Sequence, residues 1–287
     1  TLPVADESTL ERYEGRLVEI AQPLAVTELF ELGRYGQMVL SLNGRQFNPT
    51  NGNATATHAQ NLLSRIMLDD GSSVSNPNPI PYLSAAGTDG TRRMGDTTQK
   101  ITGILSHNFG AYRIQPTVAP VFAQANPRQP TAPVVGGSLK VASLNVLNYF
   151  TTFVDGTNAA GQTGQVCLLG TGVATDCRGA NNLNEFKRQQ AKIVAAIAGL
   201  DADVIGLMEI QNNGDITVGY LVDALNQAIG KTAYAYVAKP AATGTDAIRV
   251  AMIYKPAVLT PVGSALSDGD AINNRPPMAQ TFKVNAN

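Results

Sequence analysis

Two polar residues, Asn145 and Glu209, stand near the ends of apolar runs in this 287-residue chain. Glu209 closes the run at residues 202–210 (ADVIGLMEI), and Asn145 lies near the end of residues 139–146 (LKVASLNV). Short apolar runs of this kind predict buried strands. Ligands of open α/β sheets bind beyond the carboxyl ends of the strands, so both side chains are expected in one site. Spacing alone leaves a second interpretation open, in which Glu209 is a solvated surface carboxylate.

The two cysteines, Cys167 and Cys177, are separated by nine residues in a Gly/Thr-rich segment. A metal site would need closer spacing and further His or Cys partners, whereas the two histidines, His58 and His107, lie far upstream. We therefore predict a disulfide and an oxidising compartment, with two unpaired thiols as the alternative.

The composition is that of a globular protein with room for one large domain or two ordinary ones. It has 44% hydrophobic and 15% charged residues, and the net charge is -1. This charge gives no overall basic field that would indicate a nucleic-acid binder, although a local basic groove remains compatible with it. No apolar run reaches the length of a membrane-spanning helix.

The elements that must position these residues fall into two regions. Residues 123–138 are rich in Pro and Gly and predict an extended linker. Residues 1–122 contain short apolar or alternating runs separated by turn residues, which predict a small all-β barrel. Residues 139–287 change to a strand, helix, strand rhythm, with a helix near residues 184–200 for which Asn184 is a candidate cap. The predicted fold class is therefore α+β.

Several segments of the second region resemble bacterial secreted nucleases of the endonuclease/exonuclease/phosphatase superfamily. They are, in order, SLNVLNYF, CRGANN, LNEFKRQQAKIVAAI, LDADVIGLMEIQNNG, DAIRVAMIYKP and NNRPPMAQTF. Upstream, ERYEGRLVEI, LGRYGQMVLS and FNPTN are similar to the β-barrel region that precedes the nuclease domain in that branch. The resemblance implies an OB-like barrel followed by the N-terminal half of a four-layered α/β-sandwich nuclease domain.

The resemblance also implies roles for individual residues. Glu209 matches a carboxylate that binds a divalent cation, and a hard oxygen ligand suits magnesium, with calcium or manganese as alternatives. Asn145 matches an asparagine that orients phosphate or metal-bound water, which makes it a weaker candidate metal ligand. Arg275 matches an arginine that contacts DNA phosphate. Arg249 is a further candidate for substrate binding and Asp246 lies in the same matching region, although an edge ion pair would explain both equally well.

The chain departs from the family pattern because the expected catalytic histidines have no match after Glu209. We interpret it as an inactive fragment of an extracellular bacterial enzyme that hydrolyses DNA, or RNA, with the C-terminal half of the nuclease domain missing. A phosphomonoesterase or phospholipase of the same superfamily is an alternative interpretation.

Another alternative is a nucleic-acid-binding module without catalysis, formed by the upstream barrel. Basic and aromatic residues there could provide a stacking and phosphate-binding surface: Arg34, Tyr35, Arg45, Phe47, Arg92 and Arg93. The competing interpretation places the aromatic residues in the core and the arginines in solvent.

Overall fold

The computed structural model describes residues 1–52, 54–83 and 90–285. The chain is α+β and rich in strands, and it divides into two compact units, Thr1–Gln129 and Pro130–Asn287. The division falls inside residues 123–138, the segment predicted as a linker. Within the described residues no helix is both long and apolar enough to cross a membrane.

The first unit is built on an eight-stranded sheet with the order β1-β6-β7-β4-β3-β2-β5-β8. Neighbouring strands are antiparallel except β4 and β7, which are parallel. The strands are β1 (Leu17–Ile20), β2 (Leu24–Glu28), β3 (Met38–Leu42), β4 (Arg65–Leu68), β5 (Thr97–Thr98), β6 (Ile101–Asn108), β7 (Ala111–Pro116) and β8 (Phe122–Ala123).

The prediction of an all-β first region was wrong in one respect, because its described residues include three short helices beside the sheet. They are α1 (Ser8–Glu11), α2 (Leu32–Tyr35) and α3 (His58–Leu63). Helices of four to six residues are too short to show a 3.6-residue period. For α3, the sequence contains a local indication of a helix start, because Thr57 and Gln60 form a capping box there.

Alternation along the strands directs apolar side chains into the core of the first unit. In β6, Ile101 and Leu105 are buried together with Gly103, while the residues between them are more exposed. A Cβ at Gly103 would clash with the carbonyl oxygen of Gln115 on β7, so this position requires glycine. The strand pairing and the core therefore depend on the same residues.

The second unit contains a four-stranded sheet with the order β11-β12-β10-β9, in which only β9 and β10 are parallel. Its elements are β9 (Val141–Tyr149), α4 (Leu183–Leu200), β10 (Val204–Gln211), α5 (Ile216–Ile229), β11 (Ala235–Tyr236) and β12 (Ile248–Tyr254). A separate hairpin joins β13 (Leu259–Ser267) to β14 (Met278–Val284). The predicted strand, helix, strand rhythm is confirmed, whereas β13 was not predicted.

Helices α4 and α5 pack against one face of this sheet. Buried residues of α4, α5, β10 and β12 form one apolar cluster that includes Ile197, Leu221, Leu207 and Ile253. The cap prediction for α4 was wrong by two residues, because the side chain of Asn182, not Asn184, accepts the Glu185 N–H.

Candidate functional site

A β-bulge in β10 determines where Glu209 points. Leu207 and Ile210 are both fully buried in the core that the helices cover. In a regular strand, two residues that are three positions apart would point to opposite faces of the sheet. The pairing register shifts here against both neighbouring strands, and Glu209 has a φ of 68°. The extra residue removes Glu209 from the apolar core and leaves its side chain half-buried.

Strand β9 has a matching irregularity beside this bulge. Leu147 and Asn148 both have positive φ values, 55° and 49°, and they separate the buried residues Val146 and Tyr149. The backbone N–H of Asn148 donates to Oε2 of Glu209 at 2.9 Å. The two bulges are thus joined by a hydrogen bond between a backbone amide and the carboxylate.

Asn145 lies immediately before the β9 bulge, where it is paired with Met208 of β10. Its side chain is exposed, and its Oδ1 accepts the backbone N–H of Leu147 at 2.7 Å. The structure therefore places Asn145 and Glu209 at the carboxyl end of two adjacent parallel strands. In this conformation Asn145 also stabilises the local turn.

The loop before α4 carries a further arginine, Arg178, toward these bulges. A Cβ at Gly179 would clash with the carbonyl oxygen of Asn148, and Gly179 has a φ of 78°, so glycine is required at this close approach. Nη1 of the adjacent Arg178 forms an ion pair with Oδ1 of Asp246 at 3.1 Å. Sequence reasoning assigned no role to Arg178, although the CRGANN segment contained it.

Asp246 is held between two arginines, because Nε of Arg275 lies 3.0 Å from its other carboxylate oxygen. Burial acts to raise the pKa of Asp246, but hydrogen bonds from Arg275 and from the Ile248 N–H, with the charge of Arg178, lower it overall. Arg178 and Arg275 remain 43% and 41% exposed. Two guanidinium groups are therefore accessible next to a partly buried carboxylate.

Arg249, the other arginine considered for substrate binding, lies in the interior. Its side chain is 1% exposed, and Nη2 donates to the Gly214 carbonyl at 2.7 Å and to Oδ1 of Asp215 at 3.0 Å. Burial lowers its pKa, although Asp215 partly opposes this effect. Arg249 therefore forms an ion pair, but with Asp215 instead of Asp246 and from a central strand instead of an edge, and in this conformation its buried side chain cannot contact a substrate.

Gln189 of α4 is another residue whose position the sequence did not indicate. Its Nε2 donates to the carbonyl oxygens of Val146 at 3.2 Å and Leu147 at 2.6 Å, and so ties the helix to the β9 bulge. Its Oε1 is buried and has no hydrogen-bond partner among the described residues. No periodicity signal distinguishes such a residue from any other polar position on a helix.

The disulfide lies under the same end of the sheet. Cys167 and Cys177 are bonded, with 5.3 Å between their Cα atoms, which confirms the predicted pairing. Cys167 is buried with Phe150 of the segment after β9 and with Ala247 and Ile248. The bond therefore anchors the loop that leads to Arg178.

The oxygen atoms at the bulges fit an open magnesium site better than an enclosed one. In the described part of the chain no group of three or more His, Cys, Asp or Glu side chains could surround a metal ion. Glu209 uses only Oε2 in its hydrogen bond to Asn148, and Oε1 accepts none from the described residues. Magnesium is often held by one or two carboxylates, with water and substrate phosphate as the other ligands, and this donor set suits that arrangement.

In the first unit, the residues considered for nucleic-acid binding have different environments. Arg34 lies over the ring of Tyr35 and Arg45 over the ring of Phe47, with 5.1 Å and 4.7 Å to the ring centroids. Arg92 is buried and paired with Asp96, so its assignment to a binding surface was wrong.

Comparison with protein families gives a match in the first unit. A family model described as a domain of unknown function, DUF8508, matches residues 8–126. No curated protein matches the chain. The match covers the eight-stranded sheet and leaves Asn145, Glu209 and Arg275 outside it.

Proposed function

We propose that this chain belongs to a secreted, metal-dependent nuclease that hydrolyses phosphodiester bonds of DNA, or of RNA, with little sequence preference. The observation that carries the proposal is the bulge that places the Glu209 carboxylate at the end of an apolar strand. The bulge is connected through Asn148 and Gly179 to the loop of Arg178. A carboxylate and accessible guanidinium groups are the complementary partners of a divalent cation and a phosphate.

In this proposal each residue has a defined task. Glu209 would hold magnesium through Oε1, and the bound cation would supply Lewis-acid stabilisation of charge at the phosphate. Arg275 and Arg178 contact phosphate oxygens and so orient the substrate, while Asn145 presents its amide at the same edge. The second unit contains no histidine, so the residues here provide the cation-binding and phosphate-binding side of the site without an imidazole base.

The fold assignment that accompanies this function is also a proposal. The first unit would be an OB-like barrel, and the second the N-terminal half of a four-layered α/β sandwich. Support comes from the sheet of the second unit, where Val141, Ser143 and Asn145 are exposed on the face opposite the helices. In a sandwich a second sheet would cover that face. The disulfide between Cys167 and Cys177 is compatible with an extracellular location.

The proposal is tested by replacing Glu209 with Gln in the nuclease that contains this chain. We expect magnesium-dependent plasmid cleavage to fall by roughly a hundredfold, the scale of losing one preorganised electrostatic contact in an active site. Chelator should abolish the wild-type activity. Glutamine keeps the side-chain shape, so the thermal unfolding midpoint should change little. Cleavage is followed by gel electrophoresis at several protein concentrations.

The matched control is Asp223→Asn, the same carboxylate-to-amide change at an exposed position of α5. This variant should retain wild-type cleavage. A second readout uses this chain alone: binding of Mn²⁺, measured by electron paramagnetic resonance, should be lost in Glu209→Gln and kept in Asp223→Asn. Wild-type cleavage or unchanged Mn²⁺ binding in Glu209→Gln would contradict the assigned role.

A further inference from the structure

The first unit contains a cavity that the proposed nuclease function does not use. Its volume is ≈ 670 Å³, within the usual range for small-molecule sites. It is lined by residues from α2, from the segment after β4, and from the turn between β6 and β7. All of these residues belong to the first unit.

Phe109 forms one wall of this cavity and occupies an unusual backbone position. It lies in the turn between β6 and β7 with a φ of 51°, followed by Gly110 with a φ of 73°. Two-residue turns with both φ values positive favour Asn-Gly, because a large side chain is disfavoured in the left-handed region. The ring is also 96% exposed, so burial in the core does not explain its presence. An exposed aromatic ring at a strained position suggests that it serves a contact outside the fold.

Tyr35, at the end of α2, provides a second exposed aromatic side chain in the lining. Arg34 lies over the Tyr35 ring, 5.1 Å from its centroid, and Arg113 lies 5.5 Å from the centroid of Phe109. The cavity thus offers two aromatic surfaces, each with a guanidinium group nearby. Aromatic surfaces of this kind bind planar or ring-shaped ligands.

The charged groups in the lining give the cavity no excess of positive charge. Arg113 and Asp69 form a buried ion pair at 2.8 Å, which leaves the carboxylate of Glu31 as the unpaired charge among the lining residues. Gln37 adds a hydrogen bond from Nε2 to Asp69 at 2.8 Å, so Asp69 is held in place. With Arg34 over the Tyr35 ring counted as well, the charges around the cavity balance, so the cavity favours no charged ligand.

Several polar side chains around the cavity lack hydrogen-bond partners among the described residues. The amides of Asn108 and Gln115 and the hydroxyls of Ser73 and Ser75 make no hydrogen bond to any described side chain or backbone group. In addition, Nε of the buried Arg113 is unpaired within the described part of the chain. These groups can donate to or accept from a ligand that carries hydroxyl groups.

We propose that this cavity binds a neutral sugar unit of a glycan. A sugar ring presents an apolar C–H face that can pack on Phe109 or Tyr35, and its hydroxyl groups match the amides and carboxylate around the rim. It carries no charge, which suits a cavity whose charged side chains balance. A nucleotide could also stack, and it is the alternative that the experiment separates from a sugar.

The test is a comparison of the wild type with Phe109→Gly. Glycine accepts the positive φ, so this variant removes the ring while the turn is retained or stabilised. Binding of maltohexaose, cellohexaose and N-acetylchitohexaose is measured by calorimetry at 0.15 M salt, with dT20 as a nucleic-acid probe. We expect the wild type to bind at least one sugar, the affinity to fall at least tenfold in Phe109→Gly, and the unfolding midpoint to stay level or rise.

The matched control is Tyr236→Ala, which removes a partly exposed aromatic ring from the other unit and should leave sugar binding unchanged. If the wild type binds none of the three sugars, the proposal is overturned. Equal sugar affinity in Phe109→Gly and the wild type would have the same consequence. Binding of dT20 alone, lost in Phe109→Gly, would also overturn it and assign the cavity to a nucleobase. Cleavage is not measured, so these results are independent of the proposed nuclease function.

Discussion

Two ion pairs of the first unit and the cluster around Asp246 in the second unit use arginine and aspartate in opposite ways. In the first unit, the Arg92–Asp96 and Arg113–Asp69 pairs are buried, with distances of 3.1 Å and 2.8 Å. In the second unit, Asp246 contacts two arginines that remain about two-fifths exposed. Residue types and distances are similar in both regions, whereas access to solvent differs.

This difference separates a structural role from a binding role. The buried pairs are completed by further hydrogen bonds: Asp96 accepts the Arg93 N–H at 2.9 Å, and Asp69 accepts the Gly71 N–H at 2.8 Å. Such pairs exclude a third charged group, because every partner is already enclosed. Around Asp246 a phosphate oxygen could replace the carboxylate as the partner of an exposed guanidinium group. An arginine is therefore a candidate phosphate contact only where its solvent access is retained.

The largest expected effect comes from breaking a buried pair. Asp96→Ala leaves the Arg92 charge buried without its carboxylate, and removing one partner of such a pair typically costs about 3–5 kcal/mol. The free energy of unfolding should fall by this amount, because Arg92 also packs over the ring of Phe122 and cannot easily reach water. Urea denaturation followed by circular dichroism measures the change.

Two further variants serve as controls for this prediction. Arg92→Met combined with Asp96→Leu removes both charges and should be more stable than Asp96→Ala alone. Glu19→Ala breaks the exposed pair with Lys100 and should have a much smaller effect. A double variant that is less stable than the single one would show that the buried pair stabilises the first unit directly.

The next effect concerns the strained backbone at Glu209. In an ordinary strand, glycine is less stable than alanine by about 0.5–1 kcal/mol. At position 209 the order should be reversed, because a φ of 68° disfavours any residue with a Cβ by about 1–2 kcal/mol. Glu209→Gly should therefore be more stable than Glu209→Ala, by up to about 1 kcal/mol, and both lose the hydrogen bond to Asn148. Urea midpoints of the two variants decide the matter, and a more stable alanine variant would show that the bulge relaxes without strain.

Sequence pattern predicted the elements well because each depends on local periodicity. The apolar run before Glu209 forms β10, and the 3.6-residue spacing after residue 183 forms α4. The direction of the Glu209 side chain was not predictable, because a bulge depends on pairing with both neighbouring strands. A glycine would have signalled the positive φ, but a glutamate does not.

The same limit applies to the arginines. Arg249 and Arg275 look alike as single residues in the sequence, yet Arg249 is buried in a central strand and Arg275 is accessible. The difference arises from tertiary contacts with Gly214 and Asp215, which are 35 and 34 residues away from Arg249 in the chain. A motif can therefore suggest that an arginine is functional, but it cannot show whether the guanidinium group reaches solvent.

The smallest effect is the pH dependence of the ion pairs that Asp246 forms with Arg178 and Arg275. Because the pKa of Asp246 in the folded state lies below the usual value near 3.8, its carboxylate stabilises the fold above that value. This contribution is lost as the pH falls from about 3.8 through the lowered pKa of Asp246 in the folded protein. Asp246→Asn should therefore be less stable than the wild type at pH 6, by under about 1 kcal/mol because the arginines are solvated, and the difference should shrink at pH 2. Urea midpoints at both pH values test this, and a difference that is the same at pH 6 and pH 2 would mean that the two arginines contribute nothing through the charge of Asp246.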